Sequence, residues 1–227
     1  MFNRSGSEME RDDDSLSAKA PALNTQNHQY TLISTRGFHC DAWRTSSTVS
    51  EDGVLRTIDW VVKVSKRSFA PREVRVLKRD HSLLRNALDD IIPTAHFAIG
   101  RTGDASGAIV IVEPIEPWFD LANPGNESEA LPLLRNTSRA RDQLTRFTAA
   151  ARQWLDEDGK LIDLAGAENL VLDRKLNVRY MDSFHVFLYV DLLDDEEEAG
   201  SAFAGRVNVA KQRLRYLERL VVALKSE

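Results

Sequence analysis

Lys63, Asp163, Asn169 and Asp182 have side chains and positions suited to handling phosphate and a hard cation. Lys63 interrupts the apolar run Trp60–Val64 (WVVKV), where an ammonium must snorkel outward or find a carboxylate. Asp163 and Asn169 stand six positions apart in LIDLAGAEN, a stretch that reads as a loop. Asp182 ends the alternation Val178, Tyr180, Asp182, which puts a carboxylate at the tip of a strand. The intervening NLVLDRKLNVRYMD reads as strand, turn and strand, so a hairpin carries Asp163, Asn169 and Asp182 toward one place. Two carboxylates and an amide are hard oxygen donors, suited to Mg²⁺ with phosphate oxygens completing its shell. Glu73 opens the next helix and is the nearest acid for Lys63, with Asp80 and Glu51 as competitors. Plainer roles stand beside these: a strand-edge lysine, turn-capping Asp163 and Asn169, a helix-capping Asp182, and a first-turn Glu73 that favours the helix dipole.

The elements that must position these residues follow from periodicity. Residues 1 to 28 are polar and aperiodic and are expected to form a disordered tail. Strands are expected at Tyr30–Ser34, within Ala42–Ser50, and at Trp60–Val64, His96–Ile99 and Ala108–Val112, with a turn from Gly103 to Gly107. A helix capped by Ser68, with Pro71 in its first turn, carries Val74, Leu77, His81, Leu84 and Leu88 on one face. The proline-rich stretch from Glu113 to Ala130 reads as a connector between two halves. Beyond it come a helix over Ser138–Asp156 stopped by Gly159, the hairpin Leu170–Leu172 and Val178–Met181, and a last helix over Arg206–Leu224.

In this order the residues resemble the protein-kinase-like superfamily and its aminoglycoside-phosphotransferase-like relatives, over Tyr30 to Ser183. VVK resembles the third-strand VAIK and supplies Lys63, while Glu73 is the candidate for the helix-C acid. IDLAGAEN resembles the catalytic loop and supplies Asp163 and Asn169, and MDS resembles DFG and supplies Asp182. The resemblance implies an α+β, two-lobed protein-kinase-like fold with a reduced helical second lobe. Its parts would be a tail (1–28), a mainly antiparallel first lobe with one helix (29–112), and a second lobe with the catalytic-loop hairpin and last helix (113–227). It further implies that Lys63, Glu73, Gly37 and Glu113 bind ATP, that Asp163 orients the acceptor hydroxyl, and that Asn169 and Asp182 hold Mg²⁺. The implied function is phosphate transfer to a hydroxyl of a protein or small molecule; the alternative is a pseudokinase scaffold that binds nucleotide or a partner. The sequence departs from the pattern in three ways. Leu161 and Ile162 replace the His and Arg of HRD, the Asp163–Asn169 interval is one residue longer, and Gly37 stands where the family has G-x-G-x-x-G. The stretch after Asp182 lacks an APE-like segment, which implies that the helical platform of typical protein kinases is missing.

Composition narrows the classes. Thirty Lys and Arg against 35 Asp and Glu give a net charge of −5, which disfavours nucleic acid and anionic membranes as partners. The single Cys40 precludes an intramolecular disulfide and a thiolate zinc site. Serine-hydrolase GxSxG, Walker GxxxxGK[ST] and metalloprotease HExxH motifs are absent from the sequence. No apolar run reaches the ~20 residues that span a bilayer, so a cytoplasmic protein is expected. The acidic run Asp194–Glu198 reads as a solvated loop.

Overall fold

Lys63 lies on the central strand of a five-stranded antiparallel sheet, and Asp163, Asn169 and Asp182 lie on the far side of the chain's connector. The structure is a computed structural model, and it describes residues 28–35, 37–51, 54–102, 105–190 and 200–225. The expected tail (all but His28), residues 103–104 of the expected turn and the acidic run Asp194–Glu198 lie outside the described residues.

The sheet is built from β1 (His28–Ser34), β2 (Cys40–Glu51), β3 (Val54–Ser68), β4 (Ala95–Thr102) and β5 (Ala105–Val112), in the order β1-β2-β3-β5-β4. β2 and β3 form a long hairpin in continuous register from Cys40↔Ser65 to Glu51↔Val54, so Lys63 sits opposite Ala42. On its other side Lys63 pairs with Val110 of β5.

α1 (Pro71–Leu88) follows β3 at once. Its N-cap is Ala70, where Ser68 was expected, because Ser68 still belongs to β3. The first turn is closed by the Glu73 carboxylate, which accepts from Ala70 N–H at 2.6 Å, and Pro71 occupies the position where no intrahelical donor is required. The expected face, Val74, Leu77, His81, Leu84 and Leu88, is buried, and Asp80 is buried with it.

The connector is shorter than expected, and most of its proline-rich stretch is ordered. β6 (Pro117–Asp120), a single 3₁₀ turn and α2 (Glu127–Arg135) lie within and just beyond it. Then follow α3 (Ser138–Asp158), β7 (Lys160–Ile162), β8 (Leu170–Asp173), β9 (Val178–Tyr180), β10 (Phe187–Tyr189) and α4 (Gly200–Lys225). β6, β8 and β9 make a three-stranded sheet, and β7 pairs with β10. All the paired strands are antiparallel. The fold class is therefore α+β.

Buried apolar side chains form two clusters. The smaller, with Phe69, Val74, Leu77, Val110 and Phe184, lies under the large sheet. The larger is built from α2, α3, α4 and the short strands, and it takes in Leu84 and Leu88 from the end of α1. Thus α1 belongs to both clusters, and Phe184, two residues beyond Asp182, anchors the second half of the chain in the first. These two crossings fix the segment that carries Asp182 against the sheet that carries Lys63.

Candidate functional site

The ammonium of Lys63 donates to the Met181 carbonyl at 2.6 Å and to Ser183 Oγ at 3.2 Å, so it grips the residues on both sides of Asp182. Ser183 is fully buried. Asp182 Oδ1 accepts from the N–H groups of Ser183 and Phe184 at 2.7 and 3.1 Å and thereby turns the chain. His185 completes that turn in the left-handed region at φ 46°. Asp182 Oδ2 has no hydrogen-bond partner among the described residues. A carboxylate with one oxygen fixed and the other open is oriented to receive a cation.

The loop after β7 reaches the same place. Asp163 N–H donates to the Val186 carbonyl at 2.9 Å, which ties the loop to the segment following Asp182. The Asp163 carbonyl accepts from Tyr180 Oη at 3.0 Å and from Asn169 Nδ2 at 2.9 Å. The Asn169 carbonyl in turn accepts from Met181 N–H at 2.8 Å. With its amide nitrogen spent on Asp163, Asn169 keeps Oδ1 for another partner. Between Asp163 and Asn169 the loop carries Gly166 and Glu168, the latter at φ 58°. A Cβ on Gly166 would sit 2.5 Å from Asn169 Oδ1, so only glycine leaves that amide in place. The loop has no His and Arg before Asp163, and its bracing comes from Tyr180 and from Arg213 of α4, which donates to the Leu164 and Gly166 carbonyls.

Asp163 itself is 0 % exposed. Its Oδ1 accepts from Ala165 N–H at 2.8 Å, and its Oδ2 is paired with the guanidinium of Arg206, from the first turns of α4. Burial raises its pKa above the ordinary carboxylate range; the charge of Arg206 opposes that rise, and Asp182 adds to it. Burial, with the two carboxylates of Asp182 and Asp163 nearby, likewise raises the Tyr180 phenol well above its usual value.

No family model and no curated protein matches this sequence. The site must therefore be read from its own geometry. Lys63, Asp163, Asn169 and Asp182 are brought together through the Met181–Ser183 segment. The acids expected beside Lys63 are engaged elsewhere. Glu73 closes the first turn of α1, and Asp80 accepts from Tyr189 Oη at 2.8 Å and from Arg79. Glu51 pairs with Val54 at the far end of the β2–β3 hairpin from Ala42, the residue opposite Lys63. Gly37 is held through its carbonyl by Lys66 at 2.7 Å, and a Cβ there would meet the Cys40 carbonyl at 2.6 Å. Glu113 opens the connector with its N–H on the Thr94 carbonyl and its carboxylate 3.8 Å from Arg179.

Among the described residues no three His, Cys, Asp or Glu side chains gather as a metal cluster. A divalent cation at this site would draw two protein oxygens, Asp182 Oδ2 and Asn169 Oδ1, and the rest from phosphate and water. That is the habit of Mg²⁺, which keeps several non-protein ligands. The donor chemistry fits.

Four site residues escape sequence reading. Arg206, Arg213 and Tyr180 brace Asp163 from elements whose patterns mark them only as helix and strand positions. Helical periodicity puts His81 on the inner face of α1, but not beside the site. Its imidazole is buried within the fields of Lys63 and Asp182, its Nε2 has no hydrogen-bond partner among the described residues, and its pKa is lowered to about 4 by burial and by the charges of Lys63 and Arg85. Its position, 18 residues beyond Lys63, was the available signal.

Proposed function

We propose that this chain is an ATP-dependent phosphotransferase with a reduced protein-kinase-like fold, which passes phosphate to a hydroxyl group. The observation that carries this reading is the placement of Lys63. Its ammonium is set beside Asp182 by two neutral partners, a carbonyl and a hydroxyl, which leave its charge uncancelled. A cation held in this way is ready to exchange a carbonyl for a phosphate oxygen, whose negative charge attracts it where the carbonyl offers only a dipole.

Bound ATP would supply the phosphoryl group and leave as ADP, with Mg²⁺ neutralising the phosphate charge. Lys63 would then hold phosphate oxygens, and Asp182 Oδ2 with Asn169 Oδ1 would hold the cation. Asp163 would take the proton of the acceptor hydroxyl as its oxygen bonds to phosphorus and the bond to the departing ADP oxygen breaks. Positioning and charge neutralisation dominate such chemistry, so four well-held side chains can suffice.

A second reading, nucleotide binding without transfer, is favoured by Asp163: both of its oxygens are engaged and it has no exposure to solvent. The two readings part in one experiment. Radiolabelled ATP follows transfer to the protein itself and to candidate hydroxyl compounds, and a titration with MgATP follows binding. Transfer by wild type that is lost in Asp163→Asn, with binding kept, supports the enzyme. Binding that depends on Asp182 without any transfer supports the scaffold. No binding of MgATP by the folded chain at millimolar nucleotide removes both.

A further inference from the structure

A cavity of about 670 Å³ opens beside this site, between the loop joining β1 to β2, the end of β3, β10 and the start of α4. Among the described residues its lining holds three cations, Lys66, Arg67 and Arg206, and no carboxylate. The cations differ in how far they are neutralised. Lys66 has Asp41 at 3.4 Å, and Arg206 has Asp163. Among the described residues no carboxylate pairs with Arg67. Its guanidinium meets His185 Nε2 at 3.0 Å and lies 4.4 Å from the centre of the Phe69 ring.

The histidines explain how this charge is kept. The rings of His39 and His185 lie with centres 4.7 Å apart, tilted by 48°. His39 Nε2 lies 2.9 Å from Arg206, just as His185 Nε2 faces Arg67. Burial holds both rings below the ordinary histidine range, His39 to about 4, and the neighbouring cations add to this, opposed by Asp182. Near neutral pH both rings are therefore uncharged, and an uncharged Nε2 that faces a guanidinium accepts a hydrogen bond from it. Both arginines are thus oriented by neutral acceptors; Arg67 keeps its charge uncancelled, whereas Arg206 shares its charge with Asp163. The remaining wall is apolar: Phe187 of β10, Phe203 of α4 and Phe38, which is 78 % exposed at the rim with Arg206 over its ring.

We propose that this cavity binds a small molecule that joins an anionic head, carboxylate or phosphate, to an aromatic body, with Arg67 and Arg206 on the head and Phe38 against the body. Planar guanidinium groups recognise such heads through paired bonds, and ring faces add area at little entropic cost. Arg206 also connects the cavity to Asp163. An anion that draws its guanidinium away releases one carboxylate oxygen of Asp163, so a molecule bound here that also carries a hydroxyl would be the acceptor and would unlock the base that takes its proton. That last step rests on the phosphotransferase reading, whereas the binding itself does not.

The test is calorimetric titration of the full chain with phenyl phosphate, benzoate and inorganic phosphate, alongside a separate titration with MgATP. Phenyl phosphate or benzoate should bind at least tenfold more tightly than inorganic phosphate, and the stronger of the two identifies the head. Arg67→Gln, at an exposed position, should weaken that binding tenfold or more, as should a rise in salt. Phe38→Ala should weaken the aromatic probes and leave inorganic phosphate unchanged, which keeps the test decisive even if Arg67→Gln fails to fold. Equal affinity for all three anions, or aromatic binding indifferent to both substitutions, overturns the proposal. Probe binding without any MgATP binding would leave the cavity standing and remove the phosphotransferase reading; MgATP binding without probe binding would do the reverse.

Discussion

Replacing Arg206 by methionine removes the guanidinium from a carboxylate with no solvent exposure and leaves that carboxylate only the Ala165 N–H. Breaking a buried ion pair from one side costs about 3–5 kcal/mol, because the remaining charge is stranded. The Arg206 side chain is 25 % exposed, so water can partly replace it and the lower end, about 3 kcal/mol at pH 7, is expected. For a chain of this size that is a fall in Tm of about 6–12 °C. The loss should depend on pH in a defined direction. Asp163 already has a raised folded-state pKa, and Arg206→Met raises it further. A carboxyl with a raised folded pKa favours the fold when protonated, and that contribution is lost as pH rises through the folded pKa. The cost of Arg206→Met should therefore shrink as pH is lowered from 7 toward 4, where Asp163 can escape by protonation. Urea unfolding followed by tryptophan fluorescence at several pH values measures this. The double variant with Asp163→Asn then isolates the pair, with a coupling of about 2 kcal/mol expected. A loss below about 1 kcal/mol at pH 7 would refute the reasoning. So would a loss of the same size at pH 5 and pH 7.

Other expectations follow from the site. His81 and His39 have folded pKa values near 4, below the ordinary 6.5, so stability present above pH 6.5 should be lost as pH falls through 4. The share of buried His81 is at most about 3 kcal/mol, and His81→Leu should flatten the acid limb of the stability curve without loss at pH 7, as urea midpoints against pH will show. Gly166→Ala should destabilise by about 1–2 kcal/mol by displacing the Asn169 amide from the Asp163 carbonyl, and should weaken Mg²⁺-dependent nucleotide binding; unchanged unfolding and binding would count against that cradle. Asp163→Asn should abolish transfer and spare nucleotide affinity, whereas Asp182→Asn should weaken the Mg²⁺-dependent part of that affinity, read by titration with and without the metal.

What the sequence reveals of this fold depends on how strongly each element is patterned. The middle of β3, Trp60–Val64, and the inner face of α1 are legible from an apolar run and from leucines at helical spacing. The polar ends of β3 extend it to Val54–Ser68 unannounced. α2 is not, since the stretch Glu113–Ala130, with prolines at 114, 117 and 124, reads as a connector and Pro132 lies inside the helix itself. α4 begins at Gly200, earlier than expected, because its first turns hold Gly, Ser and Ala and the apolar stripe starts only at Val207. β7 and β10 are too short for a period of two to show. Within the site, Asp163, Asn169 and Asp182 stand out because a hairpin must bring them together. Arg206 does not, because on α4 it is one arginine among several, and only the tertiary approach of that helix to the loop distinguishes it. The pairing of Lys63 with an acid of α1 was read from nearness in sequence, whereas the α1 residue whose charge environment includes Lys63 is His81.

The contacts of Arg206 bear on the order in which a nascent chain can finish this site. Lys63 meets Met181 across 118 residues of chain, and Arg206 meets His39 across 167. Such distant partners raise contact order and slow the closing steps of folding. α4 follows every other described element, so during synthesis the large sheet and α1 are complete long before Arg206 exists. Until α4 emerges, Asp163 has no guanidinium and the larger core lacks one of its walls. A ribosome stalled before α4 should therefore carry a formed sheet beside an open, protease-sensitive second half, with the loop around Asp163 ordered last of all.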